Sequence, residues 1–181
     1  MRSIFFAILF TFQSFAFAAT PEDVIQEYFQ KVKTDGFASV ADLIHPAELK
    51  KMQEMMLPVI IDGLESDQAA AFKSFADPKD PKKVAKFTDL EFMKKVLSWI
   101  SGLQPMLSEI MKTAKVETLG HVVEGDLQHV VVRTKMKANG VEMEELSVMT
   151  IKDFEGKPMM TLSGEMKGMA EALKNRPSSK K

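Results

Sequence analysis

Residues 130–151 read "VVVRTKMKANGVEMEELSVMTI", two alternating runs separated by the pair Asn139-Gly140. A two-residue Asn-Gly turn needs positive φ at both central positions, and its type I′ twist suits the flanking strands, so the pair sets a hairpin register. Ala138 should face Val141. On one face Lys137 then meets Glu142, Lys135 meets Glu144, Arg133 meets Leu146 and Val131 meets Val148. The other face pairs Met136 with Met143, Thr134 with Glu145, Val132 with Ser147, Val130 with Met149 and Gln128 with Ile151. Opposite charges falling into line, each pair worth roughly 0.2–1 kcal/mol, favour this register over a slip by one residue.

From Lys115 onward the period is two, and before it the period is near four, which predicts helices followed by a sheet. Strands are expected over Val116 to Val123, Leu127 to Lys137 and Val141 to Lys152, with a fourth over Met159 to Ser163 interrupted at its start by Pro158. Turns fall at Glu124-Gly125-Asp126 and at "DFEG", residues 153–156. Of the two hairpin faces, the methionine-bearing one has mainly apolar outer rows. That is the face amphipathic helices should cover, since such a sheet buries one side against the helical layer.

Upstream, Thr20-Pro21-Glu22-Asp23 supplies a capping hydroxyl, a proline at the first helical position and an acidic first turn. Val24, Ile25, Tyr28, Phe29 and Val32 then recur at helical spacing as far as Gly36. A short segment, Phe37 to Ile44, should stop at His45-Pro46, because a residue before proline is pushed out of the α region. Pro46 opens the next helix, with Leu49, Met52, Met56 and Ile60 on one face and Pro58 as a kink or end. Ser66-Asp67 begins a helix with Ala69 to Phe75, and "ADPKDPKK" reads as a linker. "TDLE" at 88–91 has capping-box spacing ahead of Phe92, Met93, Val96, Leu97 and Ile100. Ser101-Gly102 should break that helix, and Pro105 should restart a short one with Met106, Leu107, Ile110 and Met111 on a stripe.

The chain of 181 residues fits one α+β domain over 20–166, followed by a short C-terminal helix and basic tail over 167–181. Its first residues, "MRSIFFAILFTFQSFAFA", place Arg2 before an apolar run from Ile4 to Phe12 and end on the small-x-small triplet Ala16-Phe17-Ala18. This is the construction of a secretory signal peptide cleaved after Ala18. The apolar run is roughly half of the ~20 residues a spanning helix needs, and no other stretch is long and apolar enough, so no membrane span is expected. Cysteine is absent, which removes disulfides, thiolate ligands and a lipid-bearing cysteine. An exported chain without disulfides fits a bacterial periplasm better than a eukaryotic exterior, and the location expected is periplasmic or secreted. Losing Arg2 with the leader leaves 23 of the 24 basic residues against 25 acidic ones, a net charge of −2. That balance offers no footprint for nucleic acid.

Helices first, one opening "TPEDVIQEYFQKVKTDGFASVADLIHP", then an antiparallel meander ending in a short helix: this order resembles the nuclear-transport-factor-two-like, or SnoaL-like, superfamily. The resemblance covers roughly residues 20–166 and is one of layout. It implies N-terminal helices packed on a curved, cone-like antiparallel sheet of about four strands around an apolar pocket. The chain departs from that layout by a long helical insertion, residues 47–114.

In such a cone the candidate lining residues are Tyr28, Trp99, Val132, Thr134, Met143, Glu145, Ser147 and Met149. Members resembling ketosteroid isomerase use a tyrosine hydroxyl with an acidic residue, so Tyr28 and Glu145 are the candidates for an oxyanion donor and base, with Asp126 a weaker base. The bland alternative places the Tyr28 ring in the core with its hydroxyl at the rim. Trp99 reads as a core or rim aromatic. His45, His121 and His129 lack a third ligand at fixed spacing and read as surface or rim residues, with no metal or other cofactor. Fourteen methionines, including Met52, Met55, Met56, Met166 and Met169, could offer thioethers to cuprous copper, but most fall on leucine and phenylalanine stripes. They read instead as core filling or a forgiving apolar pocket. No "GxSxG" elbow and no phosphate loop occurs. The expected role is therefore non-catalytic: binding an apolar small molecule or a protein partner in the methionine-rich, cone-like pocket. A small-molecule isomerase or hydrolase using Tyr28 and Glu145 is the alternative. Val131, Leu146 and Val148 form an apolar strip on the opposite face that could serve a homodimer.

Overall fold

The computed structural model describes residues 19–138 and 140–174. The expected signal peptide, Asn139, the Met169 side chain and the tail "NRPSSKK" lie outside the described residues. The elements run α1 (Pro21–Asp35), a 3-10 helix (Phe37–Leu43), α2 (Pro46–Leu64), α3 (Ala69–Phe72), a second 3-10 helix (Pro81–Lys86), α4 (Asp89–Leu103), α5 (Pro105–Thr113), β1 (Lys115–Glu124), β2 (Leu127–Ala138), β3 (Val141–Phe154), β4 (Lys157–Met160) and α6 (Gly164–Lys174). The four strands form one antiparallel sheet in the order β1-β2-β3-β4, with the helices packed on it, so the fold is α+β as the change of period implies.

The central hairpin has the register read from its turn: Ala138 faces Val141, Lys135 faces Glu144, Val132 faces Ser147 and Gln128 faces Ile151. Gly140 has φ +82°, the left-handed region in which glycine avoids the Cβ penalty. α1 lies against β1, β2 and β4, and α5 lies against β2 and α1. Their apolar sides meet Val130, Val132 and Ile151, all of which are fully buried. A second helical tier of α2 and α4 sits behind, with α6 against α2 and its Ala170 fully buried.

Both capping-box helices begin as their sequences dictate. Thr20 accepts from the Asp23 backbone N–H while Asp23 accepts from that of Thr20, and Thr88 and Glu91 do the same for α4. The 3-10 segment ends before His45, whose backbone N–H donates to the Met160 carbonyl at 2.8 Å and ties the start of α2 to β4.

Four local expectations are corrected. Pro58 does not end α2, which continues to Leu64. Its ring is on the solvent side, and the buried stripe Met52, Met56, Ile60 and Leu64 runs across it. Each such side chain contributes about 1.5–3 kcal/mol, which together exceed the ~3 kcal/mol of an interior proline. The helix expected over Ala69 to Phe75 stops at Phe72. The Ala71 carbonyl accepts from Trp99 Nε1 at 2.9 Å, while the Phe75 N–H turns to the Phe72 carbonyl at 2.9 Å. The supposed linker, residues 76–83, is structured at both ends: Ala76 is buried, and the second 3-10 helix starts inside it at Pro81, just ahead of fully buried Val84. Finally, Pro158 lies inside β4, paired with Asp153; on an edge strand its missing N–H leaves no ladder bond unmade.

Candidate functional site

The two sheet faces differ in what covers them. On the helix-covered face, the sequence candidates separate into three environments. Val132 and Thr134 are buried beneath the helices, and Ser147 and Met149 are half-buried beside them. Toward the hairpin tip, Met143 is 41% exposed and Glu145 stands in solvent although it is paired with Thr134. Trp99 belongs to another place altogether, on α4, with its indole stacked on Phe72 at 5.4 Å and tilted against Phe75 at 5.8 Å.

Tyr28 packs into the core with its ring edge-on to Phe29 at 5.0 Å, and burial pushes its hydroxyl above the usual phenol range. Among the described residues, no hydrogen bond joins it to Glu145. One group is thus held in its neutral form by burial, and the other is solvated. The methionines of the second tier, Met52, Met56 and Met93, are fully buried and fill the space between helices.

The histidines also part company. His45 is buried, contrary to the rim position expected. It caps α2 by accepting the Ala47 N–H at Nδ1 (3.2 Å) and sits edge-on to Phe154 at 5.3 Å. His121 bonds Glu22 at 2.6 Å, and its donation holds the Glu22 carboxyl below the usual carboxylate range. His129 bridges Thr150 Oγ1 and Glu124 Oε2, each at 3.0 Å. Among the described residues no three acidic or imidazole side chains gather as a metal cage.

The opposite face is open over its middle, while at the β4 edge Met159, which shares that face with Lys152, is buried. Across its middle, Leu146 is 61% exposed, Val148 60% and Val122 64%, around half-buried Val131. At the hairpin end a charge relay crosses three strands. Arg133 donates to Glu117 through Nη1 at 3.0 Å and forms an ion pair with Glu144, its Nε 2.9 Å from Oε1, and Lys135 lies 3.6 Å from Glu144. A shallow, open depression of about 100 Å³ lies there, lined by Lys115, Val116, Glu117, Arg133 and Lys135. At the other end are the His129–Glu124 contact and the Lys152–Asp126 pair at 2.9 Å, in which the lysine holds the Asp126 carboxyl below its usual range.

Sequence reasoning found Val131, Leu146 and Val148 on this face but missed Val122. The register of β1 on β2 shifts between Thr118 and Gly120, which returns Val122 to the outer side opposite His129. A glycine inside an alternating run is the signal that could have flagged that bulge.

No protein-family model, curated protein or solved structure matches the chain. Among the described residues, no helix is long and apolar enough to cross a membrane.

Proposed function

We propose that this chain is an exported, non-catalytic binding protein that seats a protein partner on the outer face of its sheet. The observation that carries this reading is the apolar strip of Val122, Val131, Leu146 and Val148 at the open middle of the outer sheet face, with charged groups at both ends. An apolar centre with a polar rim is the anatomy of a protein interface, and contiguous exposed apolar patches mark such sites. Export rests on the leader ending at Ala18, and sequencing the N-terminus of the mature protein tests it: a start at Ala19 is expected, and a retained Met1 overturns it.

The layout of helices followed by an antiparallel meander supports membership of the nuclear-transport-factor-two-like superfamily as part of this reading. That family's pocket would lie on the helix-covered side. A second reading, an apolar small molecule on that side, has in its favour the half-open methionine pair Met136 and Met143 near the hairpin tip.

Site-specific photo-crosslinking distinguishes the two. A benzophenone side chain placed at Leu146 should yield protein adducts in the cell, while one at Lys50 on the solvent side of α2 should not. Equal yields at both positions, or none at Leu146, would remove the sheet face as the docking surface.

A further inference from the structure

The partner best fitted to this face is a second copy of the same chain, and we infer that the protein forms a two-fold dimer, outer sheet face to outer sheet face. This rests on the reading of that face as a docking surface. The inference comes from how its charges are laid out.

Edge pairing is the first alternative. β4 is short, and its outer side is already used where Ile44 and the His45 N–H meet Met160. β1 is longer, but its shift at Thr118/Gly120, with Gly120 at φ +142°, interrupts the row of free backbone groups a second strand would need. The face is left.

Two-fold axes lying in the interface allow two simple arrangements. With the axis along β2, β1 covers β3 of the second copy and Lys115 meets Glu144, but Arg133 and Lys135 each face themselves, an unfavourable like-charge contact. With the axis across the strands, through the row of Val131 and Val148, each strand covers its own copy end for end. The register then places Lys115 over Glu124 of the second copy and Glu144 over Lys152 of the second copy, because these residues lie equally far from the central row on β1 and β3. Two-fold symmetry repeats both pairs. Val131 and Val148 meet their own copies at the centre. Aligned sheets keep strand directions within about 30°, so this end-for-end relation survives ordinary sheet twist. Strands β1 to β3, of 10, 12 and 14 residues, offer roughly 570 Å² per copy from strand spacing and rise, which clears the ~1,000 Å² total expected of a biological interface.

Sedimentation of the purified protein tests it, with far-UV circular dichroism checking that each variant folds. The unmodified protein should show twice the chain mass. Leu146→Glu should give the monomer. Lys115→Glu and Glu124→Lys should each weaken association by about tenfold or more, and the double variant should restore most of it, since the pair returns with its charges exchanged. If Leu146→Glu does not fold, the charge exchange alone decides. A monomer at every concentration up to the solubility limit, or no restoration in the double variant, overturns the dimer. Leu146 adducts to other proteins from such a monomer would leave the binding reading standing, whereas no adducts at all would remove both.

Discussion

His121 on β1 holds Glu22 at the start of α1, with Nδ1 2.6 Å from Glu22 Oε1 across 99 residues of chain. It is a side-chain link between the first helix and the sheet on which that helix lies. The donated hydrogen bond keeps the Glu22 carboxyl below its ordinary value of 4.5. A carboxyl lowered on folding contributes stability that is present above its unfolded value and lost as pH falls through the folded one. Glu22→Gln should therefore lower stability at neutral pH by less than ~1 kcal/mol for so solvated a pair, seen as a small drop in melting temperature. The difference from the unmodified protein should close as pH falls below 4.5. Thermal melts of both proteins across that range check it, and a gap that widens in acid would reverse the assignment.

Gly63 on α2 lies under the ring of Phe72, where a Cβ would collide with the ring's Cε2 and Cδ2. Alanine would gain up to ~1 kcal/mol of helix propensity, but overpacking typically costs about 1–3 kcal/mol. Gly63→Ala should thus destabilise the fold by about 1 kcal/mol in chemical denaturation. Combining it with Phe72→Leu should recover part of that loss.

Gly140→Ala should cost about 1–2 kcal/mol, since φ at that position is +82° and nothing else within 4 Å opposes a methyl. Gly102→Ala, inside α4 and equally open, should be neutral or stabilising. The pair of denaturation midpoints separates backbone strain from side-chain crowding.

Val132 and Val148 lie on neighbouring strands and on opposite sheet faces. Val132→Ala should cost about 2–3 kcal/mol, because its side chain is fully buried under the helices. Val148→Ala, measured in dilute solution, should stay within about 0.5 kcal/mol. Similar losses at both positions would mean that both faces are covered.

Several parts of the architecture were readable before any coordinates because their causes are local. The register of β2 on β3 follows from one turn dipeptide and a two-residue alternation. The starts of α1 and α4 follow from Thr20 with Asp23 and Thr88 with Glu91, partners three residues apart. Where the cause was a distant neighbour, local reading failed. Trp99 captures the Ala71 carbonyl across 28 residues, shortening α3, and the buried stripe of α2 carries it past Pro58. Ala76 looked like the start of a linker because only its contacts make it core.

The candidate site divides the same way. Alternation placed Val131, Leu146 and Val148 together on one face and Val132, Thr134 and Glu145 on the other, since side chains along a strand must point to opposite sides. How far the helices reach along the second face was a tertiary matter. α1 and α5 bury Val132 and Thr134, whereas Glu145, directly across from Thr134, stays in water. Sequence alone determined which residues share a face, because backbone geometry repeats every two residues. The apolar rows also marked the face the helices cover, but only the packed structure decided how far they reach along it, because burial depends on elements tens of residues away.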